Sequence, residues 1–257
     1  MEMRVIAILN HKGGVGKTAT ASNLGAALNE AGKRVLLIDA DPQASLTNSL
    51  LSGAVDEERT LYALLSDKRG NGTAQPYQVK PALDIIPGGH ALATLIGIRD
   101  NNADKDAAQI IPAKLRHDLG RFSEAYDYAL IDCPPSLGIL TLNALIAADD
   151  AIITTTAEAL PYAGLTDIFD IVEVAQSFAR EDLRVSGILI TRYNGRNLNK
   201  VVEDKLRTRY GAIVFKTKIR ENIAIAEAPL YKQPITDYAP NSNGAKDYRA
   251  LAKEILG

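Results

Sequence analysis

Seven short apolar runs, Val5–Leu9, Val35–Ile38, Leu83–Ile86, Tyr128–Ile131, Ala151–Thr155, Val185–Ile190 and Ile213–Phe215, are spaced along a chain of 257 residues. Between them the apolar residues recur at steps of three and four, as in Leu165, Ile168, Phe169, Val172 and Ala175, a stripe that a helix brings to one face. Strands apolar on both sides need cover on both sides. The alternation therefore predicts an α/β fold, a twisted and mainly parallel sheet with helices on both faces. The length suits a single domain spanning 1–257, because one core stops growing near roughly 250 to 300 residues. Two polar stretches, Ser52–Thr60 and Lys68–Pro81, read as surface loops, since strand and helix patterns resume beyond each.

Composition removes several classes of protein. With 46% apolar and 23% charged residues the chain can bury enough surface to fold. A lone cysteine, Cys133, excludes a disulfide framework and a Cys-rich metal or iron-sulfur site within one chain, and a reducing cytoplasm fits it best. It reads as a small buried side chain rather than a reactive thiol. No apolar run approaches the roughly 18 residues of a membrane span, so no membrane partner is expected. His11, His90 and His117 are scattered without metal-ligand spacing and receive no catalytic role.

The first strand leads into Asn10-His11-Lys12-Gly13-Gly14-Val15-Gly16-Lys17-Thr18, followed by a helix with Leu24, Ala27, Leu28 and Ala31 at helical spacing. Strand, glycine-rich turn and helix N-terminus together form an anion site, with backbone N–H groups pointing inward and the helix dipole adding positive potential. The backbone of Lys12, Gly13, Gly14, Val15, Gly16, Lys17, Thr18 and Ala19 is expected to bind nucleotide phosphates. Lys17 would reach the β- and γ-phosphates, and the Thr18 hydroxyl would hold Mg²⁺. The fold class sharpens to a single-domain P-loop NTPase. His11 stands where the general pattern has glycine, and the second lysine, Lys12, gives the box its deviant Walker A spelling.

Strand two ends in Asp39-Ala40-Asp41-Pro42, and alternate residues of an extended chain share a face, so Asp39 and Asp41 are expected to point together from the strand's carboxyl end. Mg²⁺ or an ordered water would relieve their repulsion; turn-capping by Asp41 is the structural alternative. Ala129-Leu130-Ile131-Asp132 has the Walker B form, an apolar strand ending in an acid that binds Mg²⁺ through water.

These boxes, with Ala226-Glu227-Ala228-Pro229 and Gly244-Ala245-Lys246-Asp247-Tyr248, resemble those of ParA/Soj-family partitioning ATPases from residue 4 to 256. The resemblance implies ATP and Mg²⁺ as cofactors, a homodimer formed as a nucleotide sandwich, coating of double-stranded DNA without sequence preference, and slow hydrolysis stimulated by a ParB-like activator. It gives Lys12 the role of reaching the partner subunit's nucleotide, Asp41 that of positioning the attacking water, and Asp39 that of supporting the metal shell; Lys12, Lys17, Asp39 and Asp41 are thus the catalytic set. Chromosome or plasmid partitioning is the implied function and the nucleoid within the cytoplasm the implied location. Positioning of other cargo, such as chemoreceptor clusters or carboxysomes, and a MinD-type membrane-associated ATPase are alternatives. An electron-donating reductase of the nitrogenase-iron-protein type would need two cysteines per subunit and is set aside. Two departures stand out. Ala19 replaces a second threonine, leaving only its backbone N–H, and Ile219-Arg220-Glu221-Asn222 replaces a Pro-Arg-Asn segment near the adenine, keeping Asn222. The first strand starts by residue 4, so an N-terminal operator-reading extension is not expected.

The formal charge of −2 conceals polarity: residues 1–179 hold 14 basic and 22 acidic side chains, residues 180–257 hold 15 and 9. Leu198, Val201, Val202 and Leu206 are expected to face inward from one helix, with Lys200 and Arg207 together on another face. A terminal helix would show Lys246, Arg249 and Lys253. With Arg196 and Arg220, these five residues form the expected phosphate-tracking surface for DNA.

Overall fold

The computed structural model describes residues 3–67, 75–97, 113–157, 162–179 and 182–257. Eight strands form one sheet in the order β3-β4-β2-β5-β1-β6-β7-β8. They are β1 (Arg4–Leu9), β2 (Val35–Asp39), β3 (Tyr77–Lys80), β4 (Leu83–Ile86), β5 (Tyr128–Asp132), β6 (Asp150–Thr156), β7 (Arg184–Tyr193) and β8 (Val214–Arg220). All neighbours pair in parallel except β3 and β4.

Two corrections to the sequence reading follow. The stretch expected to be the loop Lys68–Pro81 contains β3, while 68–74 lie outside the described residues. An edge strand four residues long and only half buried, Tyr-Gln-Val-Lys between two prolines, carries no apolar run to announce it. Strand β8 runs on to Arg220, beyond the apolar run, which Lys216, Thr217 and Lys218 interrupt, and Ile213 belongs to the 3₁₀ turn before it.

The described helices are α1 (Lys17–Glu30), α2 (Ser45–Leu50), α3 (Leu61–Ser66), α4 (Leu92–Gly97), α5 (Lys114–Leu119), α6 (Ile139–Ala147), α7 (Tyr162–Ala179), α8 (Asn197–Tyr210), α9 (Ile223–Glu227), α10 (Ile235–Tyr238) and α11 (Asn243–Leu256). Alternation along the strands assigns them to two layers. Val5, Ala7 and Leu9 of β1 face a core with Leu61, Leu115, Leu145, Ile168 and Val202, from α3, α5, α6, α7 and α8. Ile6 and Ile8 face the other core, with Leu24, Leu46, Ile235 and Tyr248 of α1, α2, α10 and α11. Helix α1 lies between the sheet and α11 and is buried almost all round, and each fully buried leucine such as Leu24 or Leu28 contributes roughly 1.5–3 kcal/mol. Ala31, expected on its apolar stripe, is the exposed C-cap instead.

The outer edge of β8 is closed by side chains rather than left open to pairing. Glu254 of α11 accepts from the backbone N–H groups of Lys216 and Thr217 at 2.7 and 2.9 Å, and Asp247 accepts from that of Arg220 at 2.9 Å. No described helix is long and apolar enough to cross a membrane.

Candidate nucleotide site

The sheet order places the ends of β2, β5 and β1 side by side, with Asp39 in register with Asp132 and Asp132 in register with Ile8. The residues that the sequence reading placed around a phosphate therefore meet at one carboxyl edge, where α/β sheets bind ligands. The loop from β1 to α1 turns through Gly14 and Gly16 at φ of 73° and 85°, a region that L side chains avoid. Gly13 and Gly14 face open space, so the concavity of the loop is unfilled by the protein. Asn10 braces the loop: its amide donates to the Thr154 carbonyl at 2.6 Å, and its oxygen accepts from the Lys12 N–H at 2.9 Å. Thr191 at the end of β7 braces it from the other side, donating to the Val15 carbonyl at 2.9 Å. Neither Asn10 nor Thr191 stood out in the sequence, since the bracing contacts Asn10–Thr154 and Thr191–Val15 join residues 144 and 176 positions apart.

Helix α1 begins without a side-chain cap and without an acid in its first turn. Its first intrahelical bond runs from Thr20 N–H to the Gly16 carbonyl at 2.8 Å, so the N–H groups of Lys17, Thr18 and Ala19 precede the helical ladder and are donors for an anion. The Lys17 ammonium is buried and donates to the Lys12 carbonyl at 3.2 Å. Burial pulls its pKa down, opposed chiefly by the charge of Asp132. Thr18 Oγ1 donates to Asp132 Oδ2 at 2.7 Å, while Asp132 Oδ1 is buried with no hydrogen-bond partner. Burial and then the nearby Asp39 carboxylate push Asp132 well above the usual carboxylate range. An unsatisfied buried carboxylate oxygen beside a hydroxyl suits a bound cation. Among the described residues no group of three or more His, Cys, Asp and Glu could hold a metal alone. The donor set is thus one hydroxyl and one carboxylate, which suits Mg²⁺, an ion that keeps waters and takes phosphate oxygens.

The two carboxylates expected to act together differ in environment. Asp39 is fully buried, and both its oxygens are taken by protein donors: Oδ2 by Thr47 N–H at 2.8 Å and Thr47 Oγ1 at 2.7 Å, Oδ1 by Asp41 N–H at 3.2 Å. Burial lifts its pKa to about 6 against the pull of these donors. Asp41 is half-buried, and its Oδ1 accepts from Gln43 N–H at 2.9 Å, the turn contact foreseen as the structural alternative. Lys12 lies exposed on the loop, and among the described residues no ion pair holds it. Asn222 caps α9, its oxygen accepting from Ala224 N–H at 2.9 Å. Cys133 is buried, and burial raises its thiol pKa.

A family model described as an AAA domain matches residues 3–185. The sporulation initiation inhibitor protein Soj of Bacillus subtilis is 38% identical over 253 residues, 98% of this chain and 98% of that protein. The chain belongs to the ParA/Soj family of ATPases. The chromosome-partitioning ATPase Soj of Thermus thermophilus is 40% identical over 256 residues, 99% of this chain and 96% of that one. Among solved structures, cobyrinic acid a,c-diamide synthase from Mycobacterium smegmatis with bound ADP and magnesium has a TM-score of 0.81 and 30% identity, covering 99% of this chain and 94% of its own.

The basic third of this ParA/Soj chain is arranged differently from expectation. Leu198 and Val201 are 54% and 48% exposed, not inward, because α8 is rotated to bury Asn199, Val202 and Leu206. Asn199 is drawn in by its polar partners, donating to the Ala157 carbonyl at 2.9 Å and accepting from Asn194 N–H at 2.7 Å. Arg207 does not share an outer face with Lys200. Its guanidinium donates to Glu203 at 3.0 Å and to the carbonyls of Val214 and Phe215 at 3.2 and 3.0 Å, closing α8 onto β8. Arg220 forms a forked pair with Asp247, down to 2.6 Å, and Arg249 pairs with Glu30, also at 2.6 Å. Each charge is thereby offset within the chain. Arg196, Lys200, Lys246 and Lys253 remain exposed, on α8 and its N-cap and on α11, helices that cover opposite faces of the sheet beside β8. A surface joining them must wrap that sheet edge.

Arg207→Ala should lower the free energy of unfolding in urea by about 1–2 kcal/mol, the scale of a few partly solvated hydrogen bonds.

Proposed function

We propose that this chain binds ATP with Mg²⁺, dimerises around it, hydrolyses it slowly, and binds double-stranded DNA without sequence preference. A ParB-like partner would stimulate hydrolysis, and the cycle would partition a chromosome or plasmid or position another cargo on the nucleoid. The observation that carries the reading is the open glycine loop with buried Lys17 inside it and exposed Lys12 at its mouth, beside the Thr18–Asp132 pair. Thr18 and Asp132 would hold Mg²⁺, which when bound neutralises charge on the β- and γ-phosphates. Lys17 would exchange the Lys12 carbonyl for phosphate oxygens, and the α1 N–H groups would bind the others. Asp41 would orient the water for in-line attack, and Asn222 retains its amide N–H groups for the base.

The four exposed cations Arg196, Lys200, Lys246 and Lys253 support the DNA part of the reading. With ATP, the parent should retain duplex DNA with a log-log salt slope of about −5, if about six phosphates are neutralised per dimer. Arg196→Glu should weaken retention at least about tenfold while sedimentation still shows the ATP-dependent dimer. Unchanged retention at low salt would overturn the DNA assignment. The apolar face of α11 is packed on α1 and β8, so vesicles should not compete; ATP-dependent co-sedimentation with vesicles as strong as with DNA would favour the MinD-type reading.

A further inference from the structure

Three elements converge on Asp39. Thr47, on α2 and 3% exposed, donates its hydroxyl and N–H to Asp39 Oδ2. Gly88, just past β4, donates its N–H to Thr47 Oγ1 at 3.0 Å. The other oxygen of Asp39, Oδ1, accepts from the Asp41 N–H. The chain Gly88, Thr47, Asp39, Asp41 therefore runs from the β4 loop to the backbone of the residue assigned to the attacking water. Thr47 Oγ1 stands at its centre, donor to one neighbour and acceptor from the other, so its single proton is committed toward Asp39. Gly88 also presses on this loop sterically: a Cβ there would lie 2.7 Å from the Asp39 carbonyl, 2.9 Å from its carboxyl carbon and 3.0 Å from the Asp41 carbonyl. Space allows no other residue at that position without moving the Asp39–Asp41 backbone. Among the described residues, Asp41 itself has only the Gln43 N–H to hold its carboxylate, so its placement depends on its backbone.

We propose that Thr47, seated by Gly88, is a positioning residue for hydrolysis: through Asp39 it fixes the backbone of Asp41. The inference rests on the reading of Asp41 as the residue that orients water. Asp39 then serves as the link in this clamp, with its charge directed to the loop rather than to a metal. Among the described residues the Thr47 side chain hydrogen-bonds with Asp39 and Gly88 rather than with the loop of Gly13–Gly16 or Lys17, so it should govern turnover and not nucleotide affinity.

The test uses the full chain with DNA and Mg-ATP varied up to saturation, following phosphate release. Thr47→Val should lower kcat by between about ten- and a hundredfold, the range for displacing a positioned group, with KM within about twofold of the parent. Thr47→Ser, which keeps the hydroxyl, should recover at least about half the parent kcat. Gly88→Ala should reproduce the Val phenotype from the opposite side of the loop. In an Asp41→Ala background, Thr47→Val should have no further effect, because the clamp would have nothing left to position. Parent-like kcat in both Thr47→Val and Gly88→Ala would overturn the proposal, as would an additive loss in the double variant or a kcat for Thr47→Ser as low as for Val. Parent-like turnover in Asp41→Ala itself would instead overturn the reading of Asp41, separating the two failures.

Discussion

Lys17→Ala should reduce ATP turnover at least about a thousandfold, the upper range for removing one preorganised charge from a phosphoryl-transfer site. The physical ground is the burial of Lys17 within the loop, where its ammonium donates to the Lys12 carbonyl and lies in a field set chiefly by Asp132. A charge kept out of water acts through a lower effective dielectric, so the phosphates gain more from it than from a surface lysine. Arginine should not substitute, since its planar fork does not fit a point-charge position inside a closed turn. Single-turnover phosphate release on the purified variant, with an unchanged thermal midpoint as the folding control, checks this. Turnover within tenfold of the parent would remove Lys17 from the chemistry.

Lys12→Ala should have a different signature. A monomer of this variant should still bind ATP within a fewfold of the parent affinity, because Lys12 is exposed and its side chain holds none of the described residues. Dimerisation with ATP should weaken by at least about a thousandfold. A symmetric dimer loses the contact twice, and truncating one member of a desolvated, hydrogen-bonded charge pair costs about 2 kcal/mol or more each time. Sedimentation velocity with a slowly hydrolysed ATP analogue distinguishes the cases: a full dimer population in the variant would deny Lys12 its reach into the partner, whereas loss of ATP binding would place it on its own nucleotide.

The two lysines also show why parts of the site were legible early. A glycine loop between a strand and a helix is a local object; its turn, its donors and its lysines lie within nine residues, and the structure keeps them there. The acids at the ends of β2 and β5 were legible for a related reason, because an apolar parallel strand that ends in Asp brings that Asp to the carboxyl edge wherever the strand sits in the sheet. What each acid does there was not legible. Asp39 and Asp41 are two residues apart and looked equivalent, yet one is fully buried against Thr47 and the other half-buried at the turn.

The basic third marks the opposite limit. Charge counts identify an excess of cations but not which of them already have anions nearby. Arg220 meets Asp247 and Arg249 meets Glu30, partners 27 and 219 residues away. Similarly, the helical stripe through Leu198, Val201, Val202 and Leu206 was right in period and wrong in phase, because a buried amide, Asn199, satisfied by Ala157 and Asn194, outweighed two leucine-like positions.

By itself the sequence determined the α/β layering, the phosphate loop and the acids beside it, since these follow from local periodicity, glycine conformation and strand direction. Tertiary structure alone decided the neighbours: β5 between β2 and β1, Gly88 against Asp39, and α11 carboxylates on the open edge of β8. The reason is distance along the chain. Hydrogen bonds and ion pairs reach about 3 Å in space, and only the packed sheet brings residues separated by tens to hundreds of positions within that reach.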